Sequence, residues 1–176
     1  MRKVLLILIF AIFAIGCAKT EEVPAAVKNL ERFKFVTIEH PNTKAPSFAL
    51  SDDKGTKFTD QDLKGKTYII QGFTPGCSSC AREITTLKSV YEKFKDKNLE
   101  IISIDIGGND ITGALDTKEQ FGGDWIWTFD SDDVAIKLQM RTLESTYIID
   151  KEGIIRYKDE SLSDSNALSQ EIEKLI

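Results

Sequence analysis

The sequence predicts one α/β domain: a central mixed β-sheet flanked by helices, with an N-terminal β-hairpin extension. Three observations carry that expectation. Apolar β-rich runs alternate with stretches of helical period from residue 45 to the end of the chain. Two pairs of such runs face each other across short glycine turns, Lys54-Gly55 and Lys151-Glu152-Gly153. A chain of 176 residues that is 41% hydrophobic fills one ordinary core and is short for two.

The elements follow in order. Residues 48–50 and 56–58 flank Lys54-Gly55 and form the hairpin. Lys64-Gly65-Lys66 turns the chain into Thr67-Tyr68-Ile69-Ile70-Gln71-Gly72-Phe73, rich in strand formers and apolar enough for a buried central strand. Ile84, Leu87, Val90, Tyr91 and Phe94 recur at helical spacing, which predicts a helix over residues 78–95. Residues 99–106 read as the next strand, ended by Gly107-Gly108-Asn109, and a weakly patterned helix follows over 111–121. Those two glycines lack the remainder of any phosphate-binding pattern. A short strand over 127–129 and a short helix over 133–139 come next, with Trp125, Trp127 and Phe129 alternating as strand core. Asp130, Asp132 and Asp133 lack calcium-loop spacing and suit a helix cap. Residues 145–150 and 154–158 make the second hairpin, and residues 163–176 close the chain as a helix with Leu168, Ile172 and Leu175 on one face.

Ahead of the domain stands a targeting signal. Arg2-Lys3 precedes an unbroken apolar run over residues 4–15, too short for a spanning helix of about 20 residues but suited to a signal-peptide core. Ala14-Ile15-Gly16-Cys17 resembles a lipobox, which implies cleavage after residue 16 and a lipid on Cys17. An ordinary secretory signal or an uncleaved anchor is the alternative. Residues 17–44 then form a lipid-anchored tether and 45–176 the folded domain. If flexible throughout, residues 18–44 reach about 25–30 Å, although Phe33, Phe35, Val36 and Ile38 also suit an extra strand or a docked segment.

Charge narrows the partners. The chain carries 23 basic and 28 acidic residues; without Arg2 and Lys3 the balance is 21 against 28, or −7. Phosphate contact needs clustered Lys and Arg, so nucleic acid is not expected as a partner. The sole histidine, His40, lies ahead of the domain, and no second C-x-x-C exists. Zinc needs four ligands, so neither a metal nor an organic cofactor is expected.

With Cys17 used for lipid, two cysteines remain, in Cys77-Ser78-Ser79-Cys80. A disulfide between them closes so small a loop that it constrains little chain entropy, which favours redox chemistry over stapling. The first cysteine falls where the buried strand gives way to the helix. Unpaired N–H groups and the positive end of the helix dipole favour its thiolate there, and Cys80 lies one turn on to resolve a mixed disulfide. Ser78 and Ser79 are candidate donors to sulfur.

The order of elements is that of a thioredoxin-like fold. Ala45-Pro46-Ser47-Phe48-Ala49-Leu50, Gly65-Lys66 and Cys80-Ala81-Arg82-Glu83 resemble TlpA-type membrane-anchored thioredoxins. So do Trp127-Thr128-Phe129-Asp130, Val134-Ala135 and Ser145-Thr146-Tyr147-Ile148-Ile149-Asp150 with Gly153. The resemblance implies extracytoplasmic thiol–disulfide exchange, with protein thiols or disulfides as substrates and an upstream electron donor. It also places Glu83 as an acid near the active site. Gly76 stands where that family has an aromatic residue, and Glu144 where it has a cis-proline. A carboxylate facing Cys77 would disfavour its thiolate; turned away, it would meet solvent or Arg141.

A second resemblance uses the same residues. Phe73-Thr74-Pro75-Gly76-Cys77 is similar to the peroxidatic segment of AhpC/TSA-type peroxiredoxins, where the residue matching Thr74 orients peroxide. Ser145 opens a strand that is similar too, but the activating arginine falls at Glu144 and the usual proline at Ile70. Three functions therefore stay open: thiol–disulfide exchange with Cys77 as nucleophile, peroxide reduction at Cys77, and a binding lipoprotein whose chemistry has lapsed.

Overall fold

The computed structural model describes residues 42–176. The signal segment, Cys17, the strand considered over 33–38 and His40 lie outside the described residues. Among the described residues, no helix is long and apolar enough to cross a membrane.

The apolar run after Lys66 forms β4, Thr67–Phe73, and all seven of its residues are buried. Complete burial follows from its place in a six-stranded sheet ordered β1-β8-β7-β4-β5-β6. Here β1 is Thr43–Lys44, β5 is Leu99–Asp105, β6 is Ile126–Phe129, β7 is Thr146–Ile149 and β8 is Ile154–Asp159. Strands β4, β5 and β6 run parallel, and β7 and β8 are antiparallel to their neighbours, so the sheet is mixed. The N-terminal hairpin forms a separate two-stranded sheet of β2, Ala49–Ser51, and β3, Lys57–Thr59.

Among the described residues, four α-helices and a 3-10 turn at Asp60–Leu63 complete the fold, the helices being α1 Ser78–Phe94, α2 Thr112–Phe121, α3 Val134–Lys137 and α4 Ser165–Glu173. Ile84, Leu87, Val90 and Phe94 of α1 pack with Leu168 and Ile172 of α4 on one face of the sheet, against Ile69, Phe73, Trp127 and Ile148. The hairpin and α3 cover the other face, where Phe48, Leu50, Val134 and Leu138 meet Tyr68, Ile70, Ile102 and Tyr147. Alternate β4 residues thus serve two cores, the period-2 geometry of a strand buried on both sides. Trp125 and Trp127 stack in the first core at 5.6 Å.

Three local differences from the expected pattern have physical causes. Thr43 and Lys44, expected in the tether, pair with Ile155 and Ile154 at the sheet edge. The last helix starts at Ser165 because the Asp164 carboxylate accepts the N–H groups of Asn166 and Ala167, both at 3.0 Å, as a helix cap does. At α3 the expected cap falls to Asp130, whose oxygens accept from Val134 N at 2.6 Å and Ala135 N at 2.9 Å.

Candidate active site

Strand β4 delivers the chain to one end of the sheet, and Thr74-Pro75-Gly76 turns it into α1. Cys77 N–H donates to Thr74 O at 3.2 Å, closing the turn. Gly76 takes φ +78°, a left-handed value with open space around its Cα. An aromatic residue would be strained there, so the glycine in place of the family's aromatic suits this turn.

Cys77 is the N-cap of α1, and Cys80 follows in the first turn with a Cα–Cα separation of 5.3 Å. The two are joined as a disulfide. The Cys80 N–H points at Cys77 Sγ at 3.2 Å, and the Ser79 hydroxyl lies 3.2 Å from the same sulfur. Both are groups that would stabilise a thiolate once the bond is reduced. Ser79, rather than exposed Ser78, is the serine at the sulfur. The two cysteines differ in access: Cys77 is half-buried, whereas Cys80 is 1% exposed. A partner meets Cys77 first.

A groove of about 190 Å³ opens beside the pair. Phe73, Cys80, Ile84 and Thr117 are its buried lining, while Gly76, Ser78 and Gln120 are exposed at it. Among the described residues, its lining holds no ionisable side chain other than the cysteines. Thr74, Gly76, Cys77 and Cys80 line the groove together, and Pro75 is exposed next to Thr74 in the chain. Thr117, Gln120 and Phe121 of α2 are the wall that sequence reasoning missed; the weak helical pattern of that segment was the one available signal.

Glu83 lies one turn beyond Cys80 and is fully buried. Its Oε1 accepts the Thr146 hydroxyl at 2.8 Å, and its Oε2 accepts Ser163 N–H at 2.9 Å. Burial pushes its carboxyl above the ordinary range, against the pull of those hydrogen bonds. Positions i and i+3 share a helix face, so this acid stands behind Cys80 on the side away from solvent.

Ser145 and Glu144 sit at the neighbouring strand end. Ser145 is buried, its carbonyl accepts Gly72 N–H at 2.9 Å, and its hydroxyl donates to Thr142 O at 2.9 Å. Glu144 is half-buried and is not among the residues lining the groove beside Cys77. Ser145 thus ties the start of β7 to β4 next to the site.

Comparison with known proteins agrees with this geometry. The chain is 30% identical to the thiol-disulfide oxidoreductase ResA of Bacillus thuringiensis (strain Al Hakam) over 111 residues, 62% of this chain and 64% of that protein. The match therefore spans just under two thirds of that relative's length. The thioredoxin domain of a thiol-disulfide oxidoreductase from Bacteroides vulgatus superposes with a TM-score of 0.67 at 26% identity, covering 76% of this chain and 96% of that one. A thiol:disulfide interchange protein of the thioredoxin family from Chlorobium tepidum TLS shares the fold alone, with a TM-score of 0.68 at 17% identity over 76% of this chain and 96% of that one. The fold is thioredoxin-like. A model described as the AhpC/TSA family matches residues 41–158, from the edge strand through the cysteine turn to the last hairpin. On that match, which takes in well over half of its residues, the chain belongs to the AhpC/TSA family.

Proposed function

We propose that this protein is a thiol–disulfide oxidoreductase that works outside the cytoplasm, held at a membrane by a lipid on Cys17. The observation that carries the reading is the asymmetry of the pair. Cys77 is reachable and caps a helix, while Cys80 is buried directly behind it. The names of the relatives support the same activity.

In the reducing direction, the Cys77 thiolate attacks one sulfur of a protein disulfide and forms a mixed disulfide. The other substrate sulfur leaves as a thiolate and takes a proton from water. Cys80 then loses its proton and attacks Cys77 Sγ, closing the Cys77–Cys80 bond and expelling the second substrate thiol. We assign Glu83 the role of taking that proton, since it follows Cys80 by one helical turn and a carboxyl raised above its ordinary range is better matched to a thiol as a base. The substrate gains two electrons and the pair loses two, so an upstream dithiol donor must restore them. No metal or organic cofactor enters any step.

An assay separates the readings. The reduced protein is expected to reduce insulin disulfides with turnover sustained by dithiothreitol, at a rate several times that of dithiothreitol alone. Peroxide consumption without any disulfide substrate would instead mark a thiol peroxidase. Activity in neither assay would mark a binding lipoprotein. Globomycin-sensitive processing and loss of membrane association in Cys17→Ala test the anchor.

A further inference from the structure

A second buried acid lies on the other side of the cysteine turn from Glu83. Asp105 ends β5, in register with Phe73 of β4 and Phe129 of β6, and is 1% exposed. Its Oδ1 accepts the N–H groups of Gly107 and Gly108, both at 3.1 Å. Its Oδ2 is buried with no hydrogen-bond partner among the described residues. A bare carboxylate oxygen in that position is costly, which favours the neutral acid. Burial moves its pKa up accordingly, with Asp110 acting the same way against the two amide bonds.

Three glycines crowd this carboxyl, and none has a positive φ, so space rather than backbone conformation requires them. A Cβ on Gly108 would stand 2.6 Å from Asp105 Oδ2, and one on Gly113 would overlap the same oxygen. The Gly113 Cβ would also come within 2.7 Å of Pro75 Cγ, and a Gly107 Cβ within 2.7 Å of Thr74 Cγ2. Real Cβ atoms do not approach this closely. The β5–α2 connection is thus seated directly against Thr74 and Pro75, the residues that lead into Gly76 and Cys77.

We infer that Asp105 is a positioning residue for the thiol exchange. By clasping Gly107 and Gly108 it holds the glycine seat against which Thr74 and Pro75 rest. It thereby fixes the Cys77 sulfur relative to the Cys80 N–H and the start of α1. The inference rests on Cys77 being the reactive thiol, but its test reads the sulfur itself and does not depend on turnover.

The measurement is the pH profile of Cys77 alkylation by iodoacetamide in the reduced chain, with the modified peptide assigned by mass spectrometry. Far-UV circular dichroism controls for folding. Asp105→Ala removes the clasp, and Gly113→Ala crowds the Asp105 carboxyl and Pro75 together. Each is expected to raise the alkylation midpoint by about one pH unit and to slow the reaction at pH 7 about tenfold, because a displaced sulfur loses the Cys80 N–H and the Ser79 hydroxyl. Asp105→Asn keeps an oxygen for the two amides and is expected to lie closer to wild type than Asp105→Ala. Gly107→Ala shifts the midpoint in the same direction, and adding Thr74→Ser, which deletes the methyl group the new Cβ meets, is expected to move it back. That cycle decides the matter if Asp105→Ala or Gly113→Ala fails to fold. A wild-type midpoint in folded Gly113→Ala or Gly107→Ala overturns the inference. So does an Asp105→Asn midpoint displaced as far as that of Asp105→Ala. Failure to reduce insulin with the alkylation shifts intact would count against the exchange reading alone.

Discussion

Cys77→Ser is expected to abolish disulfide reduction, by at least about 10³-fold, because it removes the one nucleophile a partner can reach. Cys80→Ser is expected to behave differently. Its Cys77 still attacks, but no thiol stands behind it to release the product, so the substrate stays bound as a mixed disulfide. Nonreducing electrophoresis reads the difference as a shifted, dithiothreitol-sensitive band with Cys80→Ser and none with Cys77→Ser. The asymmetry follows from burial. Cys80, at 1% exposure, meets a macromolecular disulfide only through Cys77. Equal trapping by both variants would mean that the helix N-terminus does not sort the two sulfurs into attacking and resolving roles.

Glu83 carries the second large expected effect, on stability and on the resolving step together. Its carboxyl holds the Thr146 hydroxyl and the Ser163 N–H inside the core. Glu83→Ala strands the Ser163 N–H and leaves the Thr146 hydroxyl only Glu144 O at 3.5 Å, and is expected to cost about 2–6 kcal/mol in urea unfolding, given about 1–3 kcal/mol for each weakened buried group. Glu83→Gln can still pair both groups, so its cost is expected to be smaller, while its inability to accept a proton slows release of the mixed disulfide by on the order of 100-fold. The pH dependence has a definite sign. The folded state raises this carboxyl, so the native protein binds its proton more tightly than the unfolded chain. The associated stability is full below the ordinary value of 4.5 and declines as pH rises from there through the raised native value. Urea midpoints for wild type should therefore fall across that window relative to those for Glu83→Gln, which stays neutral throughout. Parallel profiles for the two proteins would contradict the raised carboxyl.

What could be read in the sequence was whatever local pattern dictates. The run Thr67–Phe73 is mostly apolar and buried along its whole length because both its faces are covered. The glycine turns at Gly55 and Gly153 mark hairpins because both residues take positive φ. The cysteine pair could be placed because a strand-to-helix junction is visible in the change of hydrophobic period. Features made by tertiary contact were not visible. Thr43 and Lys44 become a strand only through residues more than a hundred positions away. Thr117 and Gln120 line the groove from a helix whose weak pattern gave no direction. Gly107 and Gly108 looked like a bare loop, since nothing in their spacing shows that Asp105 already occupies their N–H groups. Glu144 was a candidate to face Cys77 by alignment alone, yet the groove beside that sulfur is lined without it.

Everything functional depends on the Cys77–Cys80 bond being a reversible couple entered from Cys77. The most direct test is acid-quenched thiol trapping of the full chain, equilibrated across a graded series of reduced and oxidised glutathione or dithiothreitol. A redox-active pair predicts that both thiols appear together in one two-electron transition, with mixed disulfide at Cys77 and never at Cys80. A bond that stays closed across the whole series, or thiols that appear independently of each other, would contradict it.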